Sequence, residues 1–211
     1  MLILKANTPK ELYEKAFLEV YKLPNIEEDP KNYKDVSALL TLENYNQDEG
    51  VVWNNEGFHS SFDYTKYIIE GDNQIQLEEE YYNKEFIQFG KLESFLKYFN
   101  NDKTTKKGLI NLLDDDSLSH IKPFPCLVYV WFRKIGDTLH MNCHMRANDA
   151  YKILIMDLHV GSSLHFYVAD RLGLKRGNYN HFVDSLHFYH RNKIEIDKLY
   201  RQLTSERLTL N

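Results

Sequence analysis

The chain lacks several features that would place it in a common functional class. No apolar run approaches the roughly 18 residues of a membrane span, so the sequence predicts no transmembrane helix. Residues 1–7 are too short and wrongly flanked to form a secretory signal peptide. The two cysteines, Cys126 and Cys143, are too few for a disulfide framework, which is typical of a reducing compartment. We therefore expect a cytoplasmic protein with no membrane partner.

The motifs of several large enzyme classes are missing as well. The sequence has neither a glycine-rich phosphate-binding loop nor the G-x-S-x-G turn of serine hydrolases. Its formal net charge of −5 argues against nonspecific nucleic-acid binding, which usually requires a basic face. His140 and His144 resemble a metal pair only if they are helical, and their surroundings alternate like a strand. We expect a small-molecule ligand, with no nucleic-acid partner and no metal site.

Length and patterning predict a single α+β domain over residues 1–211. The segment Thr8-Pro9-Lys10-Glu11 is a typical helix start with a capping box. Residues 139–145 alternate apolar and polar side chains, a period of two that indicates a strand. Residues 23–60 show no clear pattern. The other predicted elements are helices over 62–70, 85–99, 150–172 and 193–203, strands over 126–133 and 179–189, and a hairpin turn at 136–137. We expect a large mixed sheet flanked by helices.

Cys126 is the candidate nucleophile. It follows the stiff segment Pro123-Phe124-Pro125, which suits a residue held at the mouth of a pocket. A thiolate near Arg or Lys has a lowered pKa and becomes a useful nucleophile. Cys126 also fits the alternative of a small core residue. That alternative is stronger for Cys143, which alternates with Leu139 and Met141.

Five polar residues suit a nucleotide. Arg146 can bind a phosphate through two parallel hydrogen bonds, whereas Lys106 and Lys107 would act as point charges. His187 and Tyr189 lie two apart on a predicted strand, so both side chains point to one face and can grip a sugar hydroxyl. The alternatives are a solvated lysine pair and a half-exposed aromatic face.

Asp157 is the residue whose surroundings most favour a function. It falls within the apolar helical stretch Ile153 to Leu158, where an ionised carboxylate costs on the order of several kcal/mol unless it is paired. Asp149 is less unusual, because it also fits the cap of the same helix.

This set of residues resembles the thymidylate synthase and pyrimidine hydroxymethylase family. In that family a Pro-Cys nucleophile is followed twenty residues later by an Arg-Ser-x-Asp motif, which Pro125-Cys126 and Arg146-Ala147-Asn148-Asp149 match in spacing. The family's base-reading residue lies eight positions after that Asp, where this chain has Asp157. Its His-x-Tyr pair, which holds the deoxyribose hydroxyl, matches His187-Phe188-Tyr189.

The resemblance implies a reaction and an assembly. Cys126 would add to C6 of a pyrimidine nucleoside monophosphate, and C5 would take a one-carbon unit from the cofactor 5,10-methylenetetrahydrofolate, with Asp149 and Asp157 in the catalytic set. Thymidylate synthases finish with hydride transfer from the folate, and hydroxymethylases finish by adding water. The family's Ser-Arg-Arg phosphate clamp falls on Thr105-Lys106-Lys107. Because that clamp reaches across a dimer interface, the resemblance implies a homodimer in which both lysines serve the partner's site.

The residue at position 157 bears on which base is bound. Uracil offers an N3–H donor and an O4 acceptor, which an Asn amide matches. Cytosine offers an N3 acceptor and an N4 amino donor, and a carboxylate accepts from the amino group and, when protonated, donates to N3. A buried mismatch of this kind discriminates by roughly 10⁴-fold. Family members that use cytosine nucleotides resemble this chain at Asp157, so the sequence predicts a dCMP or CMP 5-hydroxymethyltransferase.

The chain also departs from the family pattern. The family's Glu-Leu-x-Trp segment, which holds a general acid/base, reads Tyr64-Thr65-Lys66-Tyr67, and Glu43 or Glu70 would have to replace it. No arginine precedes Arg133, so an amino-terminal phosphate ligand is missing. Motif positions differ at Leu127, Met145 and Ala147. Two alternatives therefore stay open: a compact thymidylate synthase acting on dUMP, and a catalytically silent pyrimidine nucleotide-binding protein.

Overall fold

Six strands form one mixed sheet, in the spatial order β1-β2-β6-β5-β4-β3. The computed structural model describes residues 1–45, 90–102, 106–113 and 125–209. In chain order the elements are β1 (Leu2–Ala6), α1 (Pro9–Lys22), β2 (Asn32–Leu42), α2 (Lys91–Asn101), β3 (Leu109–Asn111), β4 (Leu127–Ile135), β5 (Thr138–Asp149), α3 (Leu154–Arg171), β6 (Lys175–Tyr189), a short 3-10 helix (His190–Asn192) and α4 (Lys193–Thr209).

Elements with a clear local signal form as predicted. Thr8 caps α1, where its Oγ1 accepts a hydrogen bond from the Glu11 amide at 3.1 Å. Gly136 adopts a left-handed φ of 62° in the turn of the β4–β5 hairpin, a conformation that glycine takes without steric cost. The predicted helix over 62–70 lies outside the described residues, and the helix predicted over 85–99 is described as α2.

The strands β1 and β2 were not predicted from the sequence. β2 lies inside the segment that showed no clear pattern, between a parallel neighbour, β1, and an antiparallel one, β6. Leu40, Thr41 and Leu42 are all buried, so both faces of this stretch are covered. A strand covered on both faces shows no alternation of apolar and polar residues, which hides it from pattern reasoning.

Helix α3 begins four residues later than predicted, at Leu154. The reason is the turn that precedes it, in which Asp149 Oδ1 accepts hydrogen bonds from the Tyr151 amide at 2.8 Å and the Lys152 amide at 3.3 Å. The helix ends as expected before Gly173, whose φ is 63°.

The sheet and its helices share one hydrophobic core. Leu139, Met141, Cys143 and Met145 of β5 are all buried, as their period of two predicted. α3 packs against β5 and β6, and α1 packs against β1 and β2. The predicted α+β class, with a mixed sheet flanked by helices, is therefore confirmed. None of the helices in the described part of the chain is long and apolar enough to cross a membrane.

Candidate active site

Cys126 and Arg146 lie side by side where two paired strands meet. Cys126 directly precedes β4, and its carbonyl accepts a hydrogen bond from the Arg146 amide at 2.8 Å. The Arg146 Nε donates to the Pro125 carbonyl at 3.0 Å, and its Nη2 lies 3.9 Å from the Cys126 Sγ. A guanidinium this close favours the thiolate over the thiol. Cys126 is only partly buried.

Asp149, His187 and Tyr189 extend the site onto the neighbouring strands. β5 and β6 run parallel, and their register pairs Asp149 with His187. The rings of His187 and Tyr189 meet edge to face with centroids 4.5 Å apart. Burial and the nearby Asp149 carboxylate raise the pKa of Tyr189, while the Arg146 guanidinium acts in the opposite direction. The Tyr189 hydroxyl is thus within electrostatic reach of the pair formed by Arg146 and Cys126.

His187 presents a buried acceptor nitrogen. The Ser185 hydroxyl donates to the Asp35 carboxylate at 2.6 Å, so the Nδ1–H of His187 donates to the Ser185 carbonyl at 3.0 Å. In the tautomer selected by that bond, Nε2 carries the lone pair. His187 is 4% exposed, and Nε2 has no hydrogen-bond partner among the described residues. Because an unmatched buried acceptor is unfavourable, this atom marks a place for a ligand hydroxyl.

Asp157 lies on the wall of a small cavity beneath the sheet. It occupies the first turn of α3, is 8% exposed, and lines a cavity of about 20 Å³, room for about one water. Leu127, the residue after Cys126, lines the same cavity. The residue next to the candidate nucleophile Cys126 and the Asp157 carboxylate therefore share one cavity. Asp149 anchors the turn that leads into α3 and so fixes where Asp157 stands.

A group of buried, hydrogen-bonded polar residues lies along the same cavity. It was not predicted from the sequence. The Asn148 Nδ2 donates to His181 Nε2 at 3.1 Å, and His181 Nδ1–H donates to the Tyr179 hydroxyl at 2.7 Å. Cys143 Sγ lies 3.0 Å from His181 Nδ1 and 3.4 Å from the Tyr179 hydroxyl. Tyr179, His181 and Cys143 line the cavity together with Asp157. No spacing in the sequence signals this group, because the β5–β6 register brings its members together.

Burial determines the charge states of the titratable side chains in this group. It raises the pKa of Cys143 to about 12, an effect to which the Asp157 charge adds. Burial also lowers the pKa of His181 to about 3. The thiol and the imidazole are therefore both neutral near pH 7. The interpretation of Cys143 as a core residue is confirmed.

The structure does not bring Lys106 and Lys107 to Cys126 within one chain. The Lys106 carbonyl accepts a hydrogen bond from the Trp131 indole at 3.0 Å, and both lysines are exposed. Trp131 lies five residues along β4 from Cys126, a separation of roughly 17 Å. That is beyond the reach of a lysine side chain. The predicted role of the two lysines requires another subunit.

Glu43 is not close to the nucleophile either. It follows the end of β2 that pairs with Tyr179, at the opposite end of that strand from Tyr189. Its carboxylate accepts a hydrogen bond from Lys5 Nζ at 2.7 Å. Glu70, the other predicted replacement for the family's general acid/base, lies outside the described residues.

Sequence comparison decides the family. The family profile described as "Thymidylate synthase" matches residues 40–211, which is most of the chain. The chain belongs to the thymidylate synthase family. It is also 26% identical over 156 residues to a protein of Methanococcoides burtonii described as "Putative thymidylate synthase", a match that covers 72% of this chain and 70% of that protein.

Membership in the thymidylate synthase family points to folate-dependent one-carbon transfer to a pyrimidine nucleotide. The described residues suit such a ligand, since Arg146 lies beside Cys126 and the strand next to that of Arg146 carries a buried acceptor on His187. Neither the profile nor the relative separates a cytosine from a uracil nucleotide.

Proposed function

We propose that the protein is a 5-hydroxymethyltransferase that acts on a cytosine nucleotide, dCMP or CMP. The observation that carries the proposal is the position of Asp157. Its buried carboxylate lines the same cavity as Leu127, the neighbour of the nucleophile Cys126. A carboxylate there matches the N4 amino group of cytosine and opposes the O4 oxygen of uracil.

Cys126 would open the reaction. Its thiolate, favoured by Arg146 at 3.9 Å, adds to C6 of the base, and the electron pair of the C5–C6 double bond becomes available at C5. The folate that the family uses, methylenetetrahydrofolate, supplies the carbon that C5 takes. Loss of the C5 proton would release the transferred carbon from the folate nitrogen, and water would add to that carbon as the hydroxyl group. Departure of the thiolate would then restore the C5–C6 double bond.

Asp157 would hold the base through its exocyclic amino group. Its carboxylate accepts from N4 and, when protonated, also donates to N3 of cytosine. The neutral groups around it favour this pattern, because Cys143 and His181 add no charge to the cavity near pH 7. Asp149 would mainly hold Asp157 in place, because its Oδ1 accepts hydrogen bonds from the amides of Tyr151 and Lys152 in the turn before α3.

The sugar and phosphate would lie on the β6 side of the nucleophile. A sugar hydroxyl would donate to the lone pair of His187 Nε2, with Tyr189 beside it. Arg146 would bind the phosphate through its guanidinium. In a homodimer, Lys106 and Lys107 would complete phosphate binding in the partner's site, which agrees with their separation from Cys126 in their own chain.

Two other functions stay open as alternatives. A compact thymidylate synthase would turn over dUMP with the same nucleophile. A silent nucleotide-binding protein would bind a pyrimidine nucleotide without covalent chemistry, and Leu127, Met145 and Ala147 motivate it, since each departs from the family motif.

The test is tritium release from C5-labelled dCMP and dUMP, each with methylenetetrahydrofolate. We expect release from dCMP, none with Cys126→Ala, and much slower release from dUMP. The Cys143→Ala variant is a matched control for the loss of a thiol, because Cys143 is buried and neutral, so this variant should still release tritium. Release from dUMP alone would assign the protein as a thymidylate synthase. Binding without release from either nucleotide would support the silent binder.

A further inference from the structure

We propose that Arg191 binds the phosphate of the nucleotide substrate. This residue lies outside the motifs predicted from the sequence. The inference rests on the proposed function and adds one residue to the same site. No arginine occurs before Arg133, so the described site has Arg146 and few other cations for a doubly charged phosphate.

The backbone holds Arg191 immediately after the predicted sugar-binding pair. It lies in the 3-10 helix that follows Tyr189, the last residue of β6. The turn is anchored to another part of the chain, where the His190 amide donates to the Lys31 carbonyl at 2.9 Å. The guanidinium carbon of Arg191 lies 4.5 Å from the centroid of the Tyr189 ring. This cation–π contact favours one direction of the side chain, and Arg191 is exposed to solvent.

The charge of Arg191 is not neutralised within the described part of the chain. None of the described carboxylates forms an ion pair with it. By contrast, Arg171 on the surface of α3 pairs with Glu93 at 3.0 Å. An exposed guanidinium that is oriented by an aromatic ring and lacks an acid is suited to bind an external anion.

The neighbours of Arg191 match the rest of a sugar phosphate. The Tyr189 ring under Arg191 also packs against His187, whose buried Nε2 has no partner among the described residues. The positive charge of Arg191 lowers the pKa of Tyr189 more than the positive charge of Arg146 does, although burial raises the pKa of Tyr189 overall. The guanidinium of Arg191 and a place for a hydroxyl on His187 therefore lie on either side of one aromatic ring, within the electrostatic influence of Arg146. A nucleoside monophosphate carries a hydroxyl and a dianion on one sugar.

A purely structural role for Arg191 makes a different prediction. If the guanidinium only supports the Tyr189 ring, its loss would weaken the binding of every ligand that uses Tyr189, with or without a phosphate. If it binds phosphate, its loss would weaken the binding of nucleotides alone. Nucleosides that lack the phosphate separate the two roles.

The experiment measures dissociation constants by calorimetry for dCMP, dUMP, deoxycytidine and deoxyuridine. The proteins are the full chain, Arg191→Ala, Arg191→Lys and the control Arg201→Ala, which removes an exposed arginine from α4. We expect Arg191→Ala to weaken binding of the preferred nucleotide roughly 10- to 100-fold, the range for a hydrogen bond to a charged group. Binding of the nucleosides should not change. Arg191→Lys should recover part of the loss, and Arg201→Ala should match the wild type.

Each other outcome has a definite meaning. Equal weakening for nucleotide and nucleoside would overturn phosphate binding in favour of structural support for Tyr189. No change in Arg191→Ala, with tight nucleotide binding by the wild type, would overturn the role of Arg191 and leave the proposed function standing. Failure of the wild type to bind either nucleotide would overturn both. Melting temperatures of the variants verify that each one is folded.

Discussion

In the proposed function, base selection depends on a single carboxylate, which the fold places in an apolar helix. Asp157 is 8% exposed, and the cavity that it lines is otherwise mostly aliphatic or neutral. Such a residue lowers stability unless something offsets the burial of its charge, and the proposed role in base recognition gives a reason for its presence. Asp149, only eight positions earlier, has an evident structural role through its bonds to two backbone amides.

Replacing Asp157 by Asn should change the preferred base. An amide offers both a donor and an acceptor, which match O4 and N3–H of uracil. We expect the ratio of kcat/KM for dCMP over dUMP to fall by roughly 10²- to 10⁴-fold in Asp157→Asn. Steady-state kinetics with both nucleotides measure the ratio. Asp170→Asn makes the same change at an exposed position of α3 and should keep the wild-type ratio. An unchanged ratio in Asp157→Asn would remove the carboxylate from base selection.

At the scale of elements, His165 joins α3 to the sheet. Its Nε2–H donates to the Leu139 carbonyl of β5 at 2.8 Å, and its Nδ1 accepts from the Tyr45 hydroxyl at 2.6 Å. Both bonds require the neutral ring, because Nδ1 must keep its lone pair. Burial lowers the pKa of His165 to about 4, and it has the same effect on His159 and lowers His181 to about 3. The helix that carries Asp157 is thus docked by neutral histidines.

We expect stability to fall as the pH drops below about 6.5. The folded pKa of these histidines lies below the unfolded value of about 6.5, so the unfolded chain binds protons first. Their contribution is complete above pH 6.5 and is lost toward pH 4, at about 1 kcal/mol per histidine per pH unit. Asp149 opposes the trend, because burial raises its pKa. Urea unfolding between pH 7.5 and 4.5 measures the slope.

Two variants test whether His165 contributes to this pH dependence of stability. His165→Gln can keep both hydrogen bonds without titrating, so it should remove roughly a third of the slope. His190→Gln makes the same substitution at an exposed histidine and serves as the matched control. A slope that is the same in the wild type and in His165→Gln would show that proton uptake occurs elsewhere.

At the scale of the whole molecule, the described elements leave one face of the sheet partly exposed. Tyr129, Trp131 and Phe182 alternate with buried residues and are only partly buried themselves. They line a groove of about 500 Å³, in which Asn180 Nδ2 donates to Asn142 Oδ1 at 2.8 Å. An extended face of aromatic and amide groups suits a second copy of the chain. Trp131 also contacts the Lys106 backbone, so the lysines lie beside this face.

Shared sites would be revealed by complementation between two inactive variants. We expect Cys126→Ala and the double variant Lys106→Ala/Lys107→Ala each to lose most activity alone. After they are mixed and refolded together, activity should return to roughly a quarter of the wild-type level. Half of randomly formed dimers are mixed, and each mixed dimer holds one complete site of two. Kinetic assays with size-exclusion chromatography test this. No recovery, or a monomer in solution, would refute the shared site.

Local sequence determined the elements whose signals lie within a few residues. The cap of α1, the Gly136 hairpin and the alternation of β5 follow from backbone sterics and from burial of one face, and the structure has each of them. The spacing from Cys126 to Tyr189 also determined the family, which the family profile confirms. These features can be predicted from the sequence because each depends on neighbouring residues or on a fixed motif.

Only the tertiary structure decided which distant residues meet. Pairing of β4 with β5 puts Arg146 beside Cys126, and the β5–β6 register brings together the buried polar group around His181. The turn after β6 brings Arg191 onto Tyr189, which no motif indicated. The physical reason is that strand register is set by the packing of the whole sheet, which no local window of sequence contains. The sequence thus determined the chemical groups, and the sheet determined their arrangement.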